Sequence, residues 1–233
     1  MMTSTKNMAT LRTIIAPSPA QMLVRAAEGL FPLAIPSADK PWPTLPAWVV
    51  LGQGGLRDDF HALAARDGVA GWFDPTVVVL SELADRWGER SRVPLSDAER
   101  FVLLRGVIGR VGADTFGSGD AADQWVPHLD ALLGEIMAEG VTADALRVAC
   151  AAVTGRTPFA VRRDAALSNV LEEWMATLTR SGRTDDRARV VELAQAIARD
   201  PAGFATRLGG RRDVRFVGLS SLRGGYGALL RAL

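Results

Sequence analysis

Lysine is almost absent. Of 27 lysine and arginine side chains only Lys6 and Lys40 are lysines, and none follows position 40. A phosphate-binding G-K-[ST] loop, which needs the lysine ammonium on the phosphates, is excluded because Thr5 precedes Lys6 and Asp39 precedes Lys40. A nuclease site of the (D/E)-x-K type is excluded as well, since Ser4 and Ala38 stand two places before the lysines. Schiff-base chemistry would fall to two lysines in loop-like sequence. The preference for arginine reads as base composition and carries no evidence for nucleic-acid binding.

Other chemistries are thinned out too. The single cysteine, Cys150, leaves no disulfide framework and no cysteine-based zinc site. His61 and His128 are the two histidines, far apart and without metal-ligand spacing, so no metal or cofactor is expected. The longest apolar runs, such as 47–51 and 77–80, are far short of a membrane span. The opening MMTSTKNMAT has no apolar signal core, so the cytoplasm is the expected location and no membrane contact is expected. With 48% hydrophobic and 23% charged residues, the 233-residue chain reads as one or two globular domains.

Four short apolar segments read as strands, at 11–16, 48–51, 76–80 and 214–219. They are rich in β-branched residues and mostly do not alternate, as expected of central strands covered on both faces. Ser81 is placed to cap a helix after the third. Helices are predicted over 20–30, with Met22, Leu23, Ala26, Ala27 and Leu30 on one face, and over 57–66, with Phe60, Leu63 and Ala64. Residues 32–47 hold five prolines and read as a connection. Strand, glycine-rich turn, helix, strand is the order of a βαβ unit.

From about 95 to 204 the signals are helical, with no convincing strand. Ser96 and Glu99 form a capping box before Phe101, Leu104, Ile108 and Val111. A loop at 112–120 separates that helix from one carrying Trp125, Leu129, Leu132, Leu133, Ile136 and Met137. Thr142 caps a third; Leu167, Val170, Leu171, Trp174 and Leu178 mark a long fourth ending at Gly182. A fifth, with Val190, Leu193, Ala194 and Ile197, stops before Pro201. The tryptophans Trp125 and Trp174 read as core.

The sharpest local feature is WVVLGQGGLRDDFHALA, residues 48–64. A strand, glycines and a helix start are where phosphates bind, because free backbone N–H groups and the helix dipole converge there. Gly52, Gln53, Gly54, Gly55, Leu56 and Arg57 form that turn, but Asp58 and Asp59 would repel an anion. A purely structural turn is the plainer reading. The last strand ends in Gly218-Leu-Ser-Ser221, without the carboxylate that holds magnesium in an ATPase. It is not a G-x-S-x-G elbow, and no catalytic residue is assigned. Residues 205–233 carry Arg207, Arg211, Arg212, Arg215, Arg223 and Arg231 against Asp213 alone, a strip that could touch phosphates or simply be solvated.

Together these segments resemble the N-terminal, helicase-like region of the AddB/RecC family, partner subunits of bacterial ATP-dependent helicase–nucleases. The likeness runs through Leu11-Arg-Thr-Ile-Ile15, the 48–64 segment, FDPTVVVLSELADRW (73–87), LSDAERFVLLRGVI (95–108) and VRFVGLSSLRGGYGALLRAL (214–233). It implies an α/β fold, a P-loop-helicase-like parallel sheet layer (1–92 and 205–233) interrupted by an α-helical subdomain (93–204). In helicase terms these are a 1A-like layer and a 1B-like insert. It also implies double-strand-break repair by homologous recombination, with DNA and an AddA/RecB-type helicase subunit as partners. Here the nucleotide motifs are stripped: Gly52 to Arg57 are a loop remnant, and Arg207, Arg211, Arg212, Arg215 and Arg223 are the candidate DNA contacts. Family members are several times longer and end in a PD-(D/E)XK nuclease, so the chain is expected to be a front portion. Two alternatives stand beside this: a small α/β enzyme binding a phosphorylated or acyl substrate at the Gly52–Gly55 turn, and a pure protein-interaction module.

Overall fold

The computed structural model describes residues 10–13, 18–30, 45, 47–66, 76–88, 92–209, 211, 213–219 and 224–233. In chain order the elements are β1 (Thr10–Thr13), α1 (Pro19–Ala27), β2 (Ala47–Leu51), α2 (Gly55–Arg66), β3 (Val77–Val79) and α3 (Leu83–Trp87). Next come β4 (Val93–Pro94), α4 (Asp97–Val111), α5 (Ala113–Phe116), α6 (Asp120–Ala138), α7 (Ala143–Ala151) and α8 (Pro158–Ser181). Last are β5 (Arg183–Thr184), α9 (Arg189–Arg199), α10 (Pro201–Arg207), β6 (Asp213–Val217) and α11 (Gly225–Ala232). The protein is mixed α/β, predominantly helical, with small parallel sheets. It divides into two compact units: Met1–Gly88 with Leu193–Leu222 and Leu230–Leu233, and Glu89–Glu192 with Arg223–Leu229.

The first unit is built on a parallel sheet in the order β1-β6-β2-β3. Val49 of β2 stands opposite Arg215 on one side and Val77 on the other. All five residues of β2 are buried, which accounts for its unbroken apolar run: a central parallel strand has no face left for water. Its odd-numbered side chains, Ala47, Val49 and Leu51, join Leu23 and Ala26 of α1 and Leu56, Phe60 and Leu63 of α2 in one core. Trp48 serves another layer. Its Nε1 donates to the Leu208 carbonyl at 3.2 Å, and its ring meets Trp87 edge-on at 5.4 Å, which in turn meets Phe204 at 5.5 Å. Phe60 is fully buried, worth about 1.5–3 kcal/mol over an exposed ring.

Local chemistry sets the helix starts. Ser18 accepts the Gln21 N–H at 3.3 Å with Pro19 at the first helical position, so α1 begins one residue before the predicted start. Ser81, by contrast, caps nothing: it lies inside a 3-10 turn, Leu80–Glu82. The Val79 N–H goes instead to the Glu82 carboxylate at 3.3 Å. The third strand accordingly stops at Val79 and the last at Val217, both earlier than predicted. Residues 14–16 of the first predicted strand, most of the proline-rich connection and Trp72 lie outside the described residues.

The second unit is a helical core. The Ser96 and Glu99 box is made in both directions, with Ser96 N–H to Glu99 at 3.0 Å and Glu99 N–H to Ser96 Oγ at 3.3 Å. Thr142 and Thr157 cap α7 and α8 in the same manner, each accepting an N–H at 3.2 Å. Gly182 ends α8 at φ +64°, a left-handed conformation that glycine adopts without Cβ strain. Leu104, Val107 and Ile108 of α4 pack with Leu129, Leu133 and Met137 of α6 and Val170, Leu171, Trp174 and Leu178 of α8.

Four expectations fail here. The helical stretch does contain a strand, β5, paired in parallel with β4 over two residues, too short to show a period. The loop 112–120 holds the four-residue helix α5. Trp125 is 42% exposed, not core, and Leu132 on the same helix is exposed too; on α4 Phe101 and Val111 are exposed because the helix turns Val107 inward in their place. Finally, α9 does stop at Arg199, before Pro201, but an unpredicted further helix, α10, begins at that proline, since proline is tolerated at a helix start and Asp200 accepts the Gly203 N–H at 2.9 Å.

Candidate functional site

The turn after β2 is packed against backbone at Gly52, while Gly54 and Gly55 are exposed with nothing within 4 Å of an added Cβ. The Gly52 N–H donates to the Val217 carbonyl at 2.8 Å, tying it to the end of β6. A Cβ on Gly52 would overlap the Gly218 carbonyl oxygen, lie 2.7 Å from its carbon and reach within 3.3 Å of the Leu219 nitrogen. Gly218 is itself left-handed at φ +70°, and a Cβ there would come within 2.5 Å of Leu56 Cδ1. Glycine at 52 is thus required by close approach, and glycine at 218 by conformation and contact. The two strand ends fill each other's space.

Two first-turn amides of α2 are engaged within the same turn. Leu56 N–H donates to Gln53 at 3.2 Å and Arg57 N–H to Gly54 at 2.9 Å. Arg57 Nη2 donates to Glu82 Oε2 at 2.5 Å, so the arginine ties the start of α2 to the end of β3. That guanidinium, opposed by partial burial and aided by the Val79 N–H, holds the Glu82 carboxyl below its usual range. Asp58, Asp59 and His61 are exposed. Arg57, Asp58, Asp59 and His61 therefore do not converge: one pairs with Glu82 and the others lie at the surface. Among the described residues no group of three or more His, Cys, Asp or Glu could hold a metal ion.

Among the described residues the terminal arginines have different settings. Arg207 is exposed at the end of α10. Arg211 donates through Nε to the Leu45 carbonyl at 2.9 Å. Arg215 is turned inward and 8% exposed. Its Nη1 donates to the carbonyls of Ala26 and Glu28 at 2.6 and 2.7 Å, and its Nε to Asp213 at 3.0 Å. It thus satisfies carbonyls at the end of α1, where a cation also complements the helix dipole. Arg212 and Arg223 lie outside the described residues.

The densest polar cluster lies elsewhere and carries no sequence motif. Asp185, fully buried, accepts Arg187 Nε at 2.9 Å, Arg187 Nη2 at 2.7 Å and the Arg187 N–H at 3.0 Å. Arg187 also donates to the Asp130 carbonyl and carboxylate, both at 2.7 Å. Arg100 Nε stands 3.8 Å from both Asp130 and Asp185. Burial pushes the Asp185 carboxyl up, but the hydrogen bonds and charge of Arg187 outweigh it, and its pKa lies below the ordinary value. The guanidinium rests on Gly134, where a Cβ would overlap Arg187 Nη1 and come within 2.6 Å of Cδ and 2.8 Å of Cζ. The only local hint was Asp185 set two residues before an arginine.

No protein-family model, curated protein or solved structure matches the chain. Among the described residues no helix is long and apolar enough to cross a membrane.

Proposed function

We propose that this chain is a non-catalytic, helicase-like scaffold of the AddB/RecC type, a P-loop-helicase-like layer carrying a helical insert and working in double-strand-break repair. The observation that carries the reading is the turn after β2, which is tied at Gly52 to the end of β6 and gathers no set of catalytic side chains around it. A Cβ at Gly52 would run into the Gly218 peptide, whereas Gly54 and Gly55 have nothing within 4 Å of theirs. Two first-turn amides of α2, those of Leu56 and Arg57, are already bonded, and Asp58 places negative charge in that turn. A turn of this kind is suited to holding strands together and unsuited to cradling an anion. The alternative of a small enzyme at Gly52–Gly55 needs Arg57, Asp58, Asp59 and His61 gathered in one pocket, and they are not gathered.

On this reading DNA and an AddA/RecB-type subunit are held by surface contacts, with Arg207 and Arg231 exposed among the described residues of the terminal strip. The test is ATP binding and hydrolysis by the purified chain, with titration of duplex DNA bearing a single-stranded end at low and moderate salt. The expected result is no magnesium-dependent turnover and salt-sensitive DNA binding, because cations that neutralise phosphates release counterions. Turnover would overturn the non-catalytic assignment. Absence of binding at low salt would remove the DNA contact and leave a protein-partner role.

A further inference from the structure

In the helical unit, α7 buries none of its residues. Along it and its C-cap Ala145, Val148, Ala149 and Ala152 are all exposed, spaced i, i+3, i+4 and i+7, which is one helical face. The opposite side, through Ala143 and Leu146, packs toward the core. The apolar surface continues over the turn into α8. Val148 is 70% exposed, Val153 57%, Phe159 58% and Val161 54%. These are four large apolar side chains left to water on one hairpin.

The exposure belongs to a fixed backbone. Arg156 Nη1 donates to the Cys150 carbonyl at 3.1 Å, closing the end of α7, and Arg156 pairs with the buried Asp164 of α8. Thr157 caps α8. Charge on the hairpin is mixed, with Asp144, Asp164 and Glu172 beside its arginines, and among the described residues the unpaired positive charge lies at Arg162. Residues 147–163 hold Arg147, Arg156, Arg162 and Arg163 and no Asp or Glu. Arg147 and Arg156 are paired with acids outside that span, Arg163 stands 3.4 Å from Asp164, and Arg162 is exposed without an ion-pair partner among the described residues.

We propose that the α7–α8 hairpin is the docking surface for an amphipathic helix of a partner protein whose flanks are acidic. The helical spacing of the stripe matches a second helix laid along it, and its alanines let the two backbones approach closely. Acidic flanks complement Arg162 and Arg163. A second copy of this chain would set the same arginines against each other. Nucleic acid would find one aromatic ring, Phe159, among aliphatic side chains that cannot stack with bases. A bilayer would gain little from alanine.

The surface is independent of the nucleotide turn and the terminal arginines, so its test is separate from theirs. The probe is a fluorescein-labelled peptide of about 20 residues, long enough to be helical, with leucines at i, i+3, i+4 and i+7 spacing and glutamates elsewhere. A twin carries lysines for the glutamates. Anisotropy titration with the full chain is expected to give saturable binding of the acidic peptide and none of the basic one. Hydrogen exchange should slow within 141–163. Phe159→Ser and Val148→Ser should each weaken binding by about tenfold or more, in the range of a buried interface anchor, with Arg162→Glu also weakening it. All three side chains are exposed, and unchanged circular dichroism and melting temperature verify that the variants fold. No binding, equal binding of the two peptides, or protection elsewhere would overturn the proposal. Co-sedimentation with phosphatidylglycerol–phosphatidylcholine vesicles that is lost in the same variants would assign the surface to a bilayer and overturn it too.

Discussion

Glycine to alanine inside a helix ordinarily stabilises, by about 0.5–1 kcal/mol, because alanine loses less backbone entropy on folding. Gly134 in α6 should reverse that sign. Its added methyl would occupy the position of the Arg187 guanidinium, and Arg187 is no free-swinging side chain. It is held by Asp185 through two bonds and by Asp130 through two more. Displacing it leaves Asp185, fully buried, with the Arg187 N–H and an arginine 3.8 Å away. Breaking a buried pair of this kind costs about 3–5 kcal/mol. Less the propensity gain, Gly134→Ala should destabilise by about 2–4 kcal/mol. Gly109 in α4 is the control: a Cβ there meets nothing within 4 Å, and Gly109→Ala should stabilise by about 0.5–1 kcal/mol. Urea unfolding of both variants, followed by helical circular dichroism, measures the pair. The decisive arm adds Arg187→Ala. With the guanidinium gone, Gly134→Ala should become neutral or stabilising in that background. If Gly134→Ala stabilises the otherwise unaltered protein, Arg187 does not sit on α6 and the reasoning about this cluster is wrong.

Three further outcomes follow from the same kind of geometry. The folded pKa of Asp185 is depressed below its unfolded value, so its contribution to stability is present above about pH 4 and is lost as pH falls through the folded pKa; Asp185→Asn should flatten the loss of stability as pH falls below about 4, and an unchanged slope would count against it. Arg215→Ala removes a charged donor from the carbonyls of Ala26 and Glu28 and should cost about 2–4 kcal/mol in urea unfolding, whereas Arg207→Ala, at the surface, should stay within about 0.5 kcal/mol. Gly52→Ala forces a methyl against the Gly218 peptide, which as backbone cannot rotate away, and should destabilise by about 1–3 kcal/mol; a neutral result would mean that the two strand ends are not in contact.

Much of the α/β layer was legible because one-dimensional signals suffice for it. The unbroken run at 48–51 announces a strand buried on both faces, and β2 is one. Phe60, Leu63 and Ala64 announce the buried side of α2. The Ser96 and Glu99 box fixes the start of α4 by bonds between residues three apart. What failed is what depends on neighbours distant in sequence. Periodicity gives α4 an apolar stripe but not its rotation about the axis, so Phe101 and Val111 were assigned inward and Val107 was overlooked. Strands of two residues, such as β4 and β5, leave no period at all. Trp125 shows the same limit: aromatic and on a helix, yet half of its environment is set by which helices happen to pass.

The same division explains the site. A strand, glycines and a helix start are visible in 48–64, and phosphate binding is the chemical inference they invite. How much room Gly52 has depends on Gly218, which meets it across the β2–β6 pairing and is separated from it by most of the chain. Arg215 is the mirror case. Counted in a strip of arginines it reads as surface charge, but its position in β6 alternates with the apolar Val214 and Phe216 in a strand flanked on both sides. A charge placed there must find acceptors within the fold, and it finds them at the end of α1. Composition tells which charges a chain owns; only the register of a strand decides whether a given arginine can meet a partner molecule or is already committed to its own backbone.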